Sequence, residues 1–163
     1  MSEYTISQVC PTDRTALAQI DALLQQEGIR RDGNLDYICA MFDEDYHVIG
    51  TGSCFGNTLR CFAVSSDHQG EGLLNQIITH LIEVQCARGN LHLFLYTKVK
   101  SSKFFGDLGF YEIARVEDTL VFMENRRDGF GAYLRALEKT KTGGKSAALV
   151  MNANPFTLGH QYL

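Results

Sequence analysis

Residues 59–82 read LRCFAVSSDHQGEGLLNQIITHLI. The first part, Leu59–Ser65, is apolar and bounded by turn residues, which predicts a strand. The last part places Leu73, Leu74, Ile77, Ile78, Leu81 and Ile82 at helical spacing, so it predicts a helix with one broad apolar stripe. Between them lies Gln69-Gly70-Glu71-Gly72. Glycines there allow a tight turn, and the first N–H groups of the helix lack internal partners. The helix dipole adds partial positive charge at the same point. Strand, Gly-rich turn and helix together suit an anion such as a pyrophosphate, without any basic side chain.

Upstream, Tyr4–Val9 alternates as a strand. Thr12 stands as the N-cap of a helix carrying Leu17, Ile20, Leu23 and Leu24 and ending at Gly28. Leu35–Phe42 and His47–Cys54 read as strands joined by the Asp43-Glu44-Asp45 turn, and Gly56-Asn57 turns the chain into Leu59–Ser65. Downstream, Arg88-Gly89-Asn90 stops the long helix. Leu91–Thr97 is apolar on both faces, as a central strand should be. A short helix over Lys100–Leu108 closes at Gly109, and Phe110–Arg115 and Thr119–Glu124 form a last pair of strands. The fold class is α/β (α+β): a mixed, mostly antiparallel sheet flanked by helices.

After Asn125 the pattern changes. Asp128 caps a helix to about Lys139, and Lys141–Lys145 is a polar linker. A buried-type strand is expected over Ala147–Met151, leading into Asn152-Ala-Asn154-Pro155-Phe156-Thr157-Leu158-Gly159-His160. There Pro155 sets a turn, Gly159 permits close backbone approach, and His160 falls at a helix start, where a ring N–H would meet a nucleotide phosphate. Three parts follow: 1–125 as one domain, 126–145 as helix and linker, 146–163 as the start of another. One strand and turn bury little by themselves, so the chain is expected to belong to a longer protein.

The 163 residues are 45% hydrophobic, with a net charge of -4. The charge is uneven. Residues 1–125 hold nine Lys and Arg against seventeen Asp and Glu, whereas 126–163 hold six against two. So acidic a body argues against nucleic-acid binding, which needs clustered cations. No apolar run is long enough for a membrane span. The N-terminus MSEYTISQV lacks the form of a signal peptide. Five cysteines without a C-x-x-C fit a reducing, cytoplasmic setting better than a disulfide framework. His68, His80 and His92 show no metal-ligand spacing, no metal site is expected, and His47 and His92 read as structural.

Two resemblances follow from these motifs. Gln69-Gly70-Glu71-Gly72-Leu73-Leu74 resembles the coenzyme A pyrophosphate signature of the GCN5-related N-acetyltransferase (GNAT) family. Cys61–Val64 is similar to that family's strand along the pantetheine arm, and Phe104-Phe105 with Leu108-Gly109-Phe110-Tyr111 resembles its second signature. The likeness implies a GNAT-type fold with Val64, Gln69, Gly70, Glu71, Gly72, Leu73 and Leu74 against coenzyme A or a dephospho-coenzyme A-like arm. Two positions depart from it. Leu74 replaces a Gly or Ala, and Phe105 stands where the family often has a proton-donating Tyr, with Tyr96 and Tyr111 nearby in sequence.

Thr157-Leu158-Gly159-His160 resembles the (His/Thr)-x-Gly-His motif of the nucleotidyltransferase superfamily. This implies ATP, with Mg2+, against Asn154, Pro155, Phe156, Thr157, Gly159 and His160, with His160 catalytic. The pairing of both parts is similar to the [citrate (pro-3S)-lyase] ligase family. That resemblance implies an ATP-dependent ligase that acetylates, with acetate, the prosthetic thiol of citrate lyase acyl carrier protein. The GNAT-like part would hold the coenzyme A-like arm. The alternatives are an acetyl-coenzyme A-dependent N-acetyltransferase and a non-catalytic carrier-protein docking module.

Overall fold

Alternating and fully apolar runs draw seven segments of the chain into one sheet. The computed structural model describes residues 4–145, 148, 150–152 and 155–161. In it β1 (Thr5–Gln8), β2 (Tyr37–Phe42), β3 (Val48–Phe55), β4 (Thr58–Val64), β5 (Phe94–Thr97), β6 (Tyr111–Val116) and β7 (Leu120–Glu124) lie in the order β1-β2-β3-β4-β5-β7-β6. All neighbours are antiparallel except β4 and β5, which run parallel. That parallel step requires a crossover, supplied by α2 (Leu73–Ala87). Two further helices complete this part, α1 (Arg14–Gln26) and α3 (Ser102–Asp107). The mixed, mostly antiparallel sheet flanked by helices is the architecture expected from the sequence.

The stripe on α2 buries as its spacing dictates. Leu73, Ile77, Ile78 and Leu81 are buried, and Leu74 and Ile82 pack at the edge of the same core. Each buried aliphatic side chain contributes roughly 1.5–3 kcal/mol of transfer free energy. The helix lies directly on β3, where Gly50 and Gly52 leave room for it. A Cβ at Gly52 would stand 2.6 Å from Ile77 Cγ2 and 2.9 Å from Leu81 Cδ1. On the other face, α1 buries Ala16, Ile20, Leu23 and Leu24 in a second cluster with Ile38, Ala40 and Ala63. Cys39 and Cys54 lie in the core, and burial pushes their thiols up to about 12 and about 11. All five cysteines are free.

Four local expectations need correction. The N-cap of α1 is Asp13, whose carboxylate accepts the Ala16 N–H at 3.0 Å. Thr12 instead meets the Cys10 thiol at 3.0 Å. The strand expected from Leu91 begins only at Phe94, because Leu93 N–H and the Leu91 carbonyl bond to the Asn125 side chain. Nor is β5 covered on both faces, since Tyr96 is 47% exposed and stacks on Phe122. Ala147–Met151 falls partly outside the described residues. Of those described, Ala148, Val150 and Met151 are not in a strand, and Val150 is 99% exposed. Among the described residues of that part, no strand is present to pair with it.

The chain forms two compact units, Met1–Gly131 and Ala132–Leu163. The first is closed off by a buried carboxylate. Glu124 is 3% exposed, meets His92 Nε2 at 2.5 Å and accepts the Phe130 N–H at 2.8 Å. A Cβ at Gly129 would stand 2.4 Å from Glu124 Oε2 and 2.7 Å from His92 Cε1, so a side chain there would push this pair aside. Glu124→Ala is expected to destabilise the unit by about 3 kcal/mol, because buried donors lose their acceptor. Glu124→Gln, which keeps one acceptor oxygen, should lose less. Urea unfolding of the variants checks this; an unchanged midpoint for Glu124→Ala would remove the carboxylate's role as an anchor.

The second unit contains most of α4 (Gly129–Glu138) and α5 (Leu158–Gln161). Among the described residues, no helix is long and apolar enough to cross a membrane.

Candidate functional site

The site begins where two strands part. β4 and β5 pair only at Thr58↔Phe94 and Leu59↔Leu95. Beyond those positions a cleft of about 840 Å³ lies between them. Cys61, Phe62, Ala63 and Val64 line one side and Tyr96, Thr97 and Lys98 the other. Gln69, Gly70 and Gly72 of the turn and Leu73–Asn75 at the start of α2 line the cleft as well. Its size suits a cofactor-sized ligand.

The Gly-rich turn has the conformation that its sequence calls for. Gly70 (φ 93°) and Gly72 (φ 75°) are both left-handed. A Cβ at either position would meet nothing within 4 Å, so the glycines serve backbone conformation and the space beside them is open. Gly72 is also the N-cap of α2, and no side chain caps that end. The first N–H groups of a fifteen-residue helix are therefore available to an anion. Of the residues expected to hold the arm, Val64, Gln69, Gly70, Gly72, Leu73 and Leu74 line the cleft. Glu71 is exposed and is not part of the lining. Leu74 is half-buried against the core and also lines the cleft.

The opposite wall shows a feature that the sequence did not signal. Thr51 pairs with Ala63 and Ser53 with Arg60, so Gly52 faces both Cys61 and Phe62. This is a bulge in β4, with Cys61 at φ 50°. Holding a non-glycine residue there costs on the order of 1–2 kcal/mol. The bulge sits in the part of β4 that lines the cleft. Burial pushes the Cys61 thiol up, and its Sγ lies 3.7 Å from the Arg30 carbonyl.

Phe105 is buried at 1% exposure, packs edge-on to Phe104 and Phe110, and carries no hydroxyl. Tyr96 lines the cleft, whereas Tyr111 is not part of its lining. Further lining residues escaped the sequence reading: Glu27, Arg30, Asp32, Arg60, Lys98 and Lys100. They come from the end of α1, the loop after it, β4 and the segment just after β5. Arg60 pairs with Asp32 at 3.0 Å. Lys98 Nζ donates to the Glu27 carbonyl.

The histidines are dispersed. His80 Nε2 lies 2.7 Å from the Tyr37 hydroxyl, His92 holds Glu124, and His47 lies 3.3 Å from Asp43. Only His68 lines the cleft, with a buried Nδ1 that has no partner among the described residues. Among the described residues, no group of three or more His, Cys, Asp or Glu is placed to hold a metal ion.

In the second unit the described part of the other motif is ordered around His160. The Thr157 N–H donates to His160 Nδ1 at 3.1 Å, and the Thr157 hydroxyl lies 2.8 Å from the same atom. An accepting Nδ1 leaves the proton of the neutral ring on Nε2. The ring packs at 5.7 Å from that of Phe156. Asn154 lies outside the described residues; Pro155, Phe156, Thr157 and Gly159 are exposed.

The family model described as the citrate lyase ligase C-terminal domain matches residues 146–163. The [citrate [pro-3S]-lyase] ligase of Klebsiella pneumoniae is 36% identical over 93% of this chain, and that of Escherichia coli is 33% identical over 96%. The chain spans 44% and 45% of those two proteins' lengths. Solved structures share the fold of the larger part. Escherichia coli ElaA matches with a TM-score of 0.64 at 12% identity, covering 76% of this chain and 100% of that one. The GNAT-family N-acetyltransferase YhbS from Escherichia coli, solved in complex with CoA, matches at 0.57 and 17% identity, covering 77% and 83%. The chain is thus similar to the [citrate [pro-3S]-lyase] ligases over nearly its whole length and carries a GNAT-type fold.

Proposed function

We propose that this chain is part of an ATP-dependent acid–thiol ligase. In it the GNAT-type unit holds the coenzyme A-like arm of citrate lyase acyl carrier protein, and the segment around His160 takes part in adenylate formation. The observation that carries the reading is a cleft of about 840 Å³, entered by an uncapped helix start and an open Gly turn, in a chain whose wall lacks a hydroxyl at Phe105. The backbone N–H groups at Gly72–Leu73 would meet the arm's pyrophosphate, and β4 would run along its pantetheine part. A dephospho-coenzyme A derivative fits such a cleft as coenzyme A itself would.

The chemistry proceeds in two transfers. An acetate oxygen attacks the α-phosphate of ATP, brought as its Mg2+ complex, and pyrophosphate leaves. His160 Nε2–H donates to the phosphate as charge develops on it. The arm's thiol, losing its proton, then attacks the acetyl carbon, and AMP leaves. Such a reaction belongs in the cytoplasm, where ATP is present and five free cysteines stay reduced. An ordinary N-acetyltransferase has fold-level likeness in its favour, as with two GNAT-type structures matched at 20% and 10% identity.

The experiment is to measure AMP release with acetate and holo carrier protein, for the full-length protein and for residues 1–163. Release is expected from the full-length protein alone. Release by residues 1–163, or acetyl transfer from acetyl-coenzyme A to amines, would overturn the assignment.

A further inference from the structure

Residues 1–125 are strongly acidic, with nine Lys and Arg against seventeen Asp and Glu, yet the cleft reverses this balance. Arg30, Arg60, Lys98 and Lys100 line it, against only Glu27 and Asp32. These four cations are not equivalent. Arg60 is taken by Asp32 at 3.0 Å. Arg30 and Lys100 are exposed, where water and salt screen them. Lys98 is half-buried and makes no ion pair among the described residues; its ammonium donates to the neutral Glu27 carbonyl. A partly desolvated ammonium on a neutral acceptor is poorly compensated.

Its neighbourhood indicates what would compensate it. The carboxylate of Glu27 lies 3.4 Å from the Gln69 side-chain amide, the residue that opens the Gly turn. Glu27 therefore touches both Lys98 and the residue that opens the turn, and Lys98 lines the same cleft as Gly70, Gly72 and Leu73. The helix start offers N–H groups and a partial charge only, whereas a pyrophosphate carries full charges. A lysine stem with four rotatable carbons lets the ammonium leave a carbonyl for a phosphate.

We infer that Lys98 is a further ligand-holding residue of the cleft, its ammonium group meeting phosphate oxygens of the bound arm. The inference rests on the arm-holding reading of the cleft. The test is calorimetric titration of the 163-residue chain, and of its Lys98→Gln and Lys98→Arg variants, with dephospho-coenzyme A at several salt concentrations. Lys98→Gln is expected to weaken binding about tenfold and to flatten its salt dependence, as loss of one charge-assisted contact should. Lys98→Arg is expected to stay within about threefold of the parent, with the salt dependence retained. Equal binding by Lys98→Gln would overturn the role of Lys98 alone. So would an equal loss in both variants with unchanged salt dependence, which marks a packing role at the end of α1. If the parent chain itself fails to bind, the reading of the cleft falls first.

Discussion

Gly72→Val is expected to raise the dissociation constant for dephospho-coenzyme A by at least about thirtyfold, the loss of one to two N–H contacts to phosphate. Gly72 has φ 75°, and a β-branched residue cannot hold that conformation without strain. The side chain itself would meet nothing within 4 Å, so the cost is conformational. The turn would relax toward negative φ and carry the first N–H groups of α2 away from the ligand. Stability should fall by only about 1–2 kcal/mol, because the turn is exposed and α2 is held by Ile77, Ile78 and Leu81 in the core. Titration and thermal unfolding of the same variant separate the two effects. Unchanged affinity in a folded Gly72→Val protein would mean that the turn does not hold the phosphates.

The other large effect belongs to the second unit. In the full-length protein, His160→Ala is expected to slow acetate-dependent pyrophosphate release by about 10²–10³, as removal of one preorganised donor does. The Thr157 contacts to Nδ1 hold the ring with its proton on Nε2, so the loss should fall on kcat more than on KM for ATP. Affinity of the cleft for dephospho-coenzyme A should not change. Steady-state release assays and titration read these two quantities independently. A His160→Ala protein that keeps its kcat would place the phosphate contact elsewhere.

Much of this was legible because it depends on spacing. The α2 stripe, the Gly56-Asn57 hairpin turn and the Gly70–Gly72 turn all follow from local geometry, which a short window of residues encodes. The positions that were missed depend on residues far apart in the chain. Lys98 and Glu27 are 71 residues apart, and nothing near either one signals that they meet. The bulge at Cys61 shows only in the register with the neighbouring strand, where it stands opposite Gly52. Asp13 displaced Thr12 as N-cap by one position, a choice between two good capping residues that only the backbone turn settles. Leu91 and Leu93 looked like strand, but the Asn125 side chain took the hydrogen bonds that a strand partner would have made.

Leu74 and Phe105 are the two positions that depart from the GNAT signatures. Both line the cleft, and it stays open beside them. Phe105 brings an apolar ring and no hydroxyl to this wall.

The most direct measurement is isothermal titration of the 163-residue chain with dephospho-coenzyme A. The arm-holding cleft predicts saturable one-to-one binding with a dissociation constant on the order of 1–100 μM, weakened by Gly72→Val. No saturable heat at millimolar ligand from a folded chain would contradict it.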